Sequence, residues 1–146
     1  VGWPRLASVY AAARQAGLAA EPALALHLMV ALAAAAMVWR AWRSPAEPLA
    51  RASVLAAATM LASPYLFLYD ALVLVVPLLW LAARGAPPAL VGVLWLLPAV
   101  TIAQSFGPEG PANLMPLLPL ALLALAWRET APQYRARMNS RARPYS

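Results

Sequence analysis

The sequence predicts an all-α integral membrane protein of about five transmembrane helices, preceded by an N-terminal interfacial amphipathic helix. Three observations carry this. Of the 146 residues, 64% are hydrophobic and 11% charged, against roughly 45–50% and ~25% in an ordinary soluble domain. Five helices of about 20 apolar residues each would use most of the chain. The eleven basic residues are all arginine, and they lie between the apolar runs and in the tail. Such hydrophobicity excludes intrinsic disorder. With no cysteine, a disulfide scaffold and a thiolate metal site are excluded as well. A net charge of +6 in a soluble chain would suggest nucleic acid. Arginines set between apolar runs point to membrane orientation instead.

Residues 1–20 form the least apolar stretch before the tail. Trp3, Leu6, Tyr10 and Ala13 share a helical stripe, Arg14 and Gln15 lie off it, and Gly17 is a helix stop. This predicts a short extracytoplasmic helix in the interface. The stretch lacks the continuous apolar core of a signal peptide. The chain opens with Val in mid-pattern, which predicts the C-terminal piece of a longer protein. The membrane domain, 21–130, then begins with a span over 22–39 that closes on Arg40, Trp42 and Arg43, an aromatic and basic interface signature. Ser44 and Glu47 have capping-box spacing and predict the start of the next helix, with Pro45 in its first position.

Residues 52–83 are almost continuously apolar. As one helix they would run about 48 Å, too long for a hydrocarbon core of about 30 Å. The run is interrupted by Ser63-Pro64-Tyr65-Leu66-Phe67-Leu68-Tyr69-Asp70. Pro64 disfavours helix at Ser63, and Asp70 is costly within hydrocarbon. Two spans, 45–62 and 69–84, joined by a tight turn, satisfy both constraints. A Gly-Ala-Pro-Pro turn leads into a span over 88–103 that Pro98 is expected to kink. A Gly/Pro-rich loop over 104–113 precedes a last span over 112–127, with Pro119 as a further kink. Residues 131–146 read as a flexible, basic cytoplasmic tail. With the C-terminus inside, nine arginines lie in the cytoplasm and only Arg5 and Arg14 outside, a strong positive-inside signal. The N-terminal helix, the Ser63–Asp70 turn and the 104–113 loop, with Glu21, Asp70 and Glu109, then share the outer face.

The turn is where chemistry would reside. An ionisable group at membrane depth is a functional candidate by default, and Asp70 equally suits the cap of the helix that follows. Tyr65 and Tyr69 fit an interfacial aromatic belt or a surface on which a sugar ring stacks. Ser63, Tyr65, Tyr69 and Asp70 are therefore the candidate substrate-binding residues. His27, the only histidine, reads as a packing residue in the first span, and Glu109 as a solvated charge. No catalytic residue, metal ligand set or cofactor motif is discernible: there is no His/Glu metal spacing, no phosphate loop and no nucleophile elbow.

Residues 56–74, Ala-Ala-Ala-Thr-Met-Leu-Ala-Ser-Pro-Tyr-Leu-Phe-Leu-Tyr-Asp-Ala-Leu-Val-Leu, resemble the hallmark stretch of glycosyltransferase family 87. The basic segment from Trp39 to Arg51 and the amphipathic N-terminal stretch fit that family's C-terminal half, so the resemblance covers most of residues 1–130. It implies a partial GT-C type membrane fold in the bacterial plasma membrane. It also implies transfer of a hexose, often mannose, from a polyprenyl-phosphate sugar donor to a lipid or glycan acceptor on the extracytoplasmic side. The catalytic carboxylate it implies lies in an early outer loop, upstream of this chain, so the chain alone is expected to be inactive. Where some relatives carry histidines near the donor phosphate, this sequence reads Leu68-Tyr69-Asp70. Tyr69 would donate a hydrogen bond there, and Asp70 would hold a sugar hydroxyl or orient a cation. The alternative is a fragment of a small-solute transporter or a non-catalytic membrane subunit, in which broken helices at membrane depth form the site.

Overall fold

The structure, a computed structural model, describes residue 6 and the segments 8–104 and 113–141; for Leu68, 101–104 and 131–141 it describes the backbone alone. Ser8 sets the first helix, α1 (Val9–Gln15), by accepting the Ala11 N–H at 3.1 Å. The chain then turns at Gly17, whose φ of +92° is open to glycine at little cost. Then follow α2 (Ala20–Arg43), α3 (Pro48–Ala62), a 3₁₀ segment (Leu68–Leu74), α4 (Val75–Ala83), α5 (Pro88–Gln104) and α6 (Leu117–Arg141). Among the described residues there is no strand, only an isolated antiparallel bridge between Leu6 and Phe67.

α3 is the centre of the bundle, packed against α2, α4 and α6. Its Val54, Ala57, Met60 and Leu61 form one buried cluster with Leu74, Leu78, Trp80, Met115, Leu118 and Leu122. α2 is arranged inside-out. It buries Ala23, His27, Ala34 and Ala41, and exposes Leu24, Leu28, Met29, Leu32 and Trp39. Small residues at the seam let the backbones approach closely, as between helices in a bilayer. α2 is the one described helix long and apolar enough to cross a membrane; Pro48–Ala62, Tyr69–Ala83 and Pro88–Val100 are apolar but shorter. At 1.5 Å per residue, α3 rises only about 22 Å.

Several expected boundaries move. Of the helix expected over 1–20, the described residues show Val9–Gln15, with Ser8 extended before it and Leu6 bridged to Phe67. The capping box at Ser44 does not form. Pro45 and Pro48 disfavour helix in the residues before them; Ser44 (ψ 156°) and Glu47 (ψ 139°) are accordingly extended, and α3 starts at Pro48. Ser44 instead closes α2, donating to the Ala41 carbonyl at 2.7 Å and accepting the Ala46 N–H at 3.3 Å. The last helix begins at Leu117 rather than 112. Asn113 Oδ1 accepts the Met115 N–H at 3.1 Å and holds a turn there, while Pro116 keeps Met115 out of the helix. Pro119 then falls in the first turn of α6, where its missing N–H is no loss. α5 continues through Pro98. The backbone of α6 is helical to Arg141, so the helix enters the stretch expected to be a tail. Trp3, Arg5, Glu109, most of the 104–113 loop and Arg143 lie outside the described residues.

Candidate functional site

One end of the bundle is assembled from segments far apart in sequence. Pro64 forces Ser63 into extended backbone (φ −98°, ψ 129°) and so ends α3. The Ser63 hydroxyl accepts the Tyr65 N–H at 3.4 Å, a local turn contact. Phe67 is extended and bridges to Leu6. Ser8, besides capping α1, donates its hydroxyl hydrogen to the Pro64 carbonyl at 2.6 Å. Asn113 donates to the Leu6 carbonyl at 2.7 Å. α1, the turn and the chain leading into α6 are thereby tied together.

The helix after the turn opens as 3₁₀, which spares Pro77 an interior α-helical position. An α-helix running on from Tyr69 would place Pro77 in its interior, against the Val73 carbonyl. With α4 starting at Val75, Pro77 sits in a first turn where no N–H is needed. The 3₁₀ segment decides where the candidate residues face. The Asp70 carboxylate accepts the Phe67 N–H at 3.0 Å, while the Asp70 N–H donates to the Phe67 carbonyl at 3.1 Å. Asp70 is therefore not the residue before the helix but the one that reaches back to its start. Its carboxylate makes no other hydrogen bond among the described residues.

Tyr69 stacks on Phe67, with ring centroids 5.5 Å apart and planes inclined by 6°. Tyr69 as a whole is 73% exposed, so a partner can reach it. Tyr65 turns the other way and meets Tyr10 edge-on at 6.2 Å. Ser63, Tyr65, Tyr69 and Asp70 thus share one turn, but the two tyrosine rings have different partners. Tyr69 borders an apolar groove of about 270 Å³ between α4 and α5. Val75, Leu78, Trp95 and Ala99 line its walls, and Leu118 of α6 lies at its back. Trp95, Pro98 and Ala99 carry no sequence signal of a site beyond a proline within an apolar helix.

His27 reaches the same end from α2. It is fully buried, and its Nε2 lies 3.4 Å from the Ala62 carbonyl at the end of α3. That contact needs the Nε2–H tautomer. Nδ1 is then a buried acceptor without a partner among the described residues. The packing role expected for His27 thus includes support of the residue just before the turn. Ser8 and Asn113 were not discernible as site-forming residues. Ser8 is detectable only as a helix cap, and Asn113 carries no signal at all. Among the described residues no three His, Asp or Glu side chains come together as a metal site. No family model matches the chain, and neither a curated protein nor a solved structure is significantly similar to it.

Proposed function

We propose that this chain is the C-terminal part of a multi-pass membrane glycosyltransferase, and that its turn and groove hold a polyprenyl-phosphate-linked hexose at the extracytoplasmic face. The observation that carries the proposal is the joining of two surfaces. An apolar groove opens at Tyr69 onto a turn bearing two exposed tyrosines and a carboxylate with a free oxygen. A lipid-linked sugar has the same division, with an apolar chain and a polar head. The groove takes part of the chain, the stacked Tyr69 and Phe67 rings offer a face to the sugar, and Asp70 accepts from a sugar hydroxyl. The resemblance of residues 56–74 to family 87 supports the same reading and supplies the hexose, mannose, and the donor class.

The inside-out burial of α2 supports the bilayer setting, since a soluble protein rarely exposes so many large apolar residues on one face. In this reading α2, α3, the Tyr69–Ala83 helix, α5 and the apolar part of α6 are five passes. The shorter ones are accommodated by local thinning of the bilayer. The C-terminus is cytoplasmic.

The test uses the chain in lipid nanodiscs with a photoreactive polyprenyl-phosphate mannose. Cross-links are expected in peptides containing residues 69–78 and 94–99. Unlabelled donor should compete, and mannose phosphate without the lipid should not. Ala99→Trp, which fills the groove from an exposed position, should abolish labelling without loss of fold. The chain alone should transfer no sugar. Labelling that is absent, or that Ala99→Trp leaves intact, would refute the proposal.

A further inference from the structure

The opposite end of the bundle has a different chemistry. Arg40 and Arg43 end α2, Arg51 lies in the first turns of α3, Arg84 follows α4, and Arg128 lies on α6. Their elements place all five at the end remote from the Ser63–Asp70 turn. The carboxylates there are Glu47 and Glu129, and Glu129 pairs with Arg84. Among the described residues, arginines thus outnumber carboxylates five to two at this end. At the turn end the described charges are Arg14, Glu21 and Asp70, with acid in excess.

The arginines are set against an aromatic band. The Arg43 guanidinium lies 4.0 Å from the centre of the Trp39 ring, and Trp39 and Trp42 are both exposed. A guanidinium over a tryptophan face is held in place by the ring quadrupole. The band runs directly into the exposed leucines of α2. Nucleic acid or an acidic protein surface would leave that adjoining apolar face uncovered. A phospholipid covers both, with acyl chains on the leucines, glycerol at the tryptophans and phosphate at the arginines.

We propose that this end is a binding surface for the head groups of anionic phospholipids, selective for them over zwitterionic ones. The proposal rests on the membrane reading of the chain but not on its glycosyltransferase activity. The surface holds the chain in register with the cytoplasmic leaflet. Beyond Glu129 the sequence adds Arg135, Arg137, Arg141 and Arg143 and no further Asp or Glu, the same sign of charge.

The test is native mass spectrometry of the full chain released from mixed micelles of phosphatidylglycerol and phosphatidylcholine. Retained phosphatidylglycerol should exceed phosphatidylcholine by roughly fivefold, the equivalent of about 1 kcal/mol for an arginine at an anionic surface. The ratio should fall to near one in the triple variant Arg40→Gln, Arg51→Gln, Arg128→Gln. Lysine at the same three positions should restore it, and Arg14→Gln at the other end should leave it unchanged. Equal retention of the two lipids by the unaltered chain would overturn the proposal, as would a preference that survives the triple substitution. A chain that stays in solution without detergent would overturn the membrane reading together with it.

Discussion

Asp70 is tied by one oxygen to the Phe67 N–H, and this separates its two roles experimentally. Asn retains an oxygen that can accept the same N–H, so Asp70→Asn is expected to leave the thermal midpoint of the chain unchanged. If the free oxygen holds a sugar hydroxyl, the loss of an acceptor charge is worth about 1.5–3 kcal/mol. In the glycosyltransferase proposed above, sugar transfer should then fall roughly ten- to hundredfold. Tyr69→Phe keeps the stacked ring and removes only the hydroxyl, so a smaller loss there would assign Tyr69 to stacking. Unimpaired transfer by Asp70→Asn would leave Asp70 a purely local capping role. Ser8 offers the contrasting case. It is buried, with both hydrogen-bonding functions used. Ser8→Ala is expected to cost about 1–3 kcal/mol in denaturant titration, because the cap and the bond to Pro64 are lost together.

Among the elements, α1 is joined to α2 through a glycine in a left-handed conformation. A Cβ at Gly17 would meet nothing within 4 Å, so Gly17→Ala carries a conformational cost alone. About 1 kcal/mol is expected, and less for Gly17→Asn. A cost near zero would mean that α1 is not held as the structure has it. The Arg84–Glu129 pair between α4 and α6 is about half exposed, and Glu129→Gln should change stability by less than about 1 kcal/mol. The ties at the turn end are therefore expected to matter more than the ion pair at the other. The 3₁₀ segment before α4 was not legible in the sequence as a distinct element. Pro77 favours such a start, standing where an uninterrupted helix from Tyr69 would need an N–H, but Pro98 within α5 shows that a proline alone does not decide it.

For the whole molecule, the absence of cysteine makes single-cysteine mapping of the topology clean. In intact cells an impermeant thiol reagent should label Leu18→Cys, which is exposed between α1 and α2. Glu47→Cys and Ser140→Cys should be shielded until the membrane is permeabilised. Ser44 is buried, so shielding there would report packing rather than sidedness, and Glu47 is the better probe. Labelling of Ser140→Cys in intact cells would invert the proposed orientation.

The sequence by itself determined that the chain is helical and where most helices lie. Apolar runs divided by arginines and prolines are local signals, and a helix satisfies its own backbone wherever it ends up. The break at Ser63–Asp70 was legible for the same reason, because Pro64 acts on the residue beside it. Helix ends were less legible where two prolines compete, as at Pro45 and Pro48, or where a side chain such as Asn113 makes an irregular turn. Only the tertiary structure decided which candidate residues face one space. It turned Tyr65 to Tyr10 and Tyr69 to the groove, left Asp70 serving the backbone at Phe67, and brought Ser8, His27 and Asn113 to the turn. These contacts span up to 107 residues of sequence, and no periodicity within a single helix encodes a meeting of three.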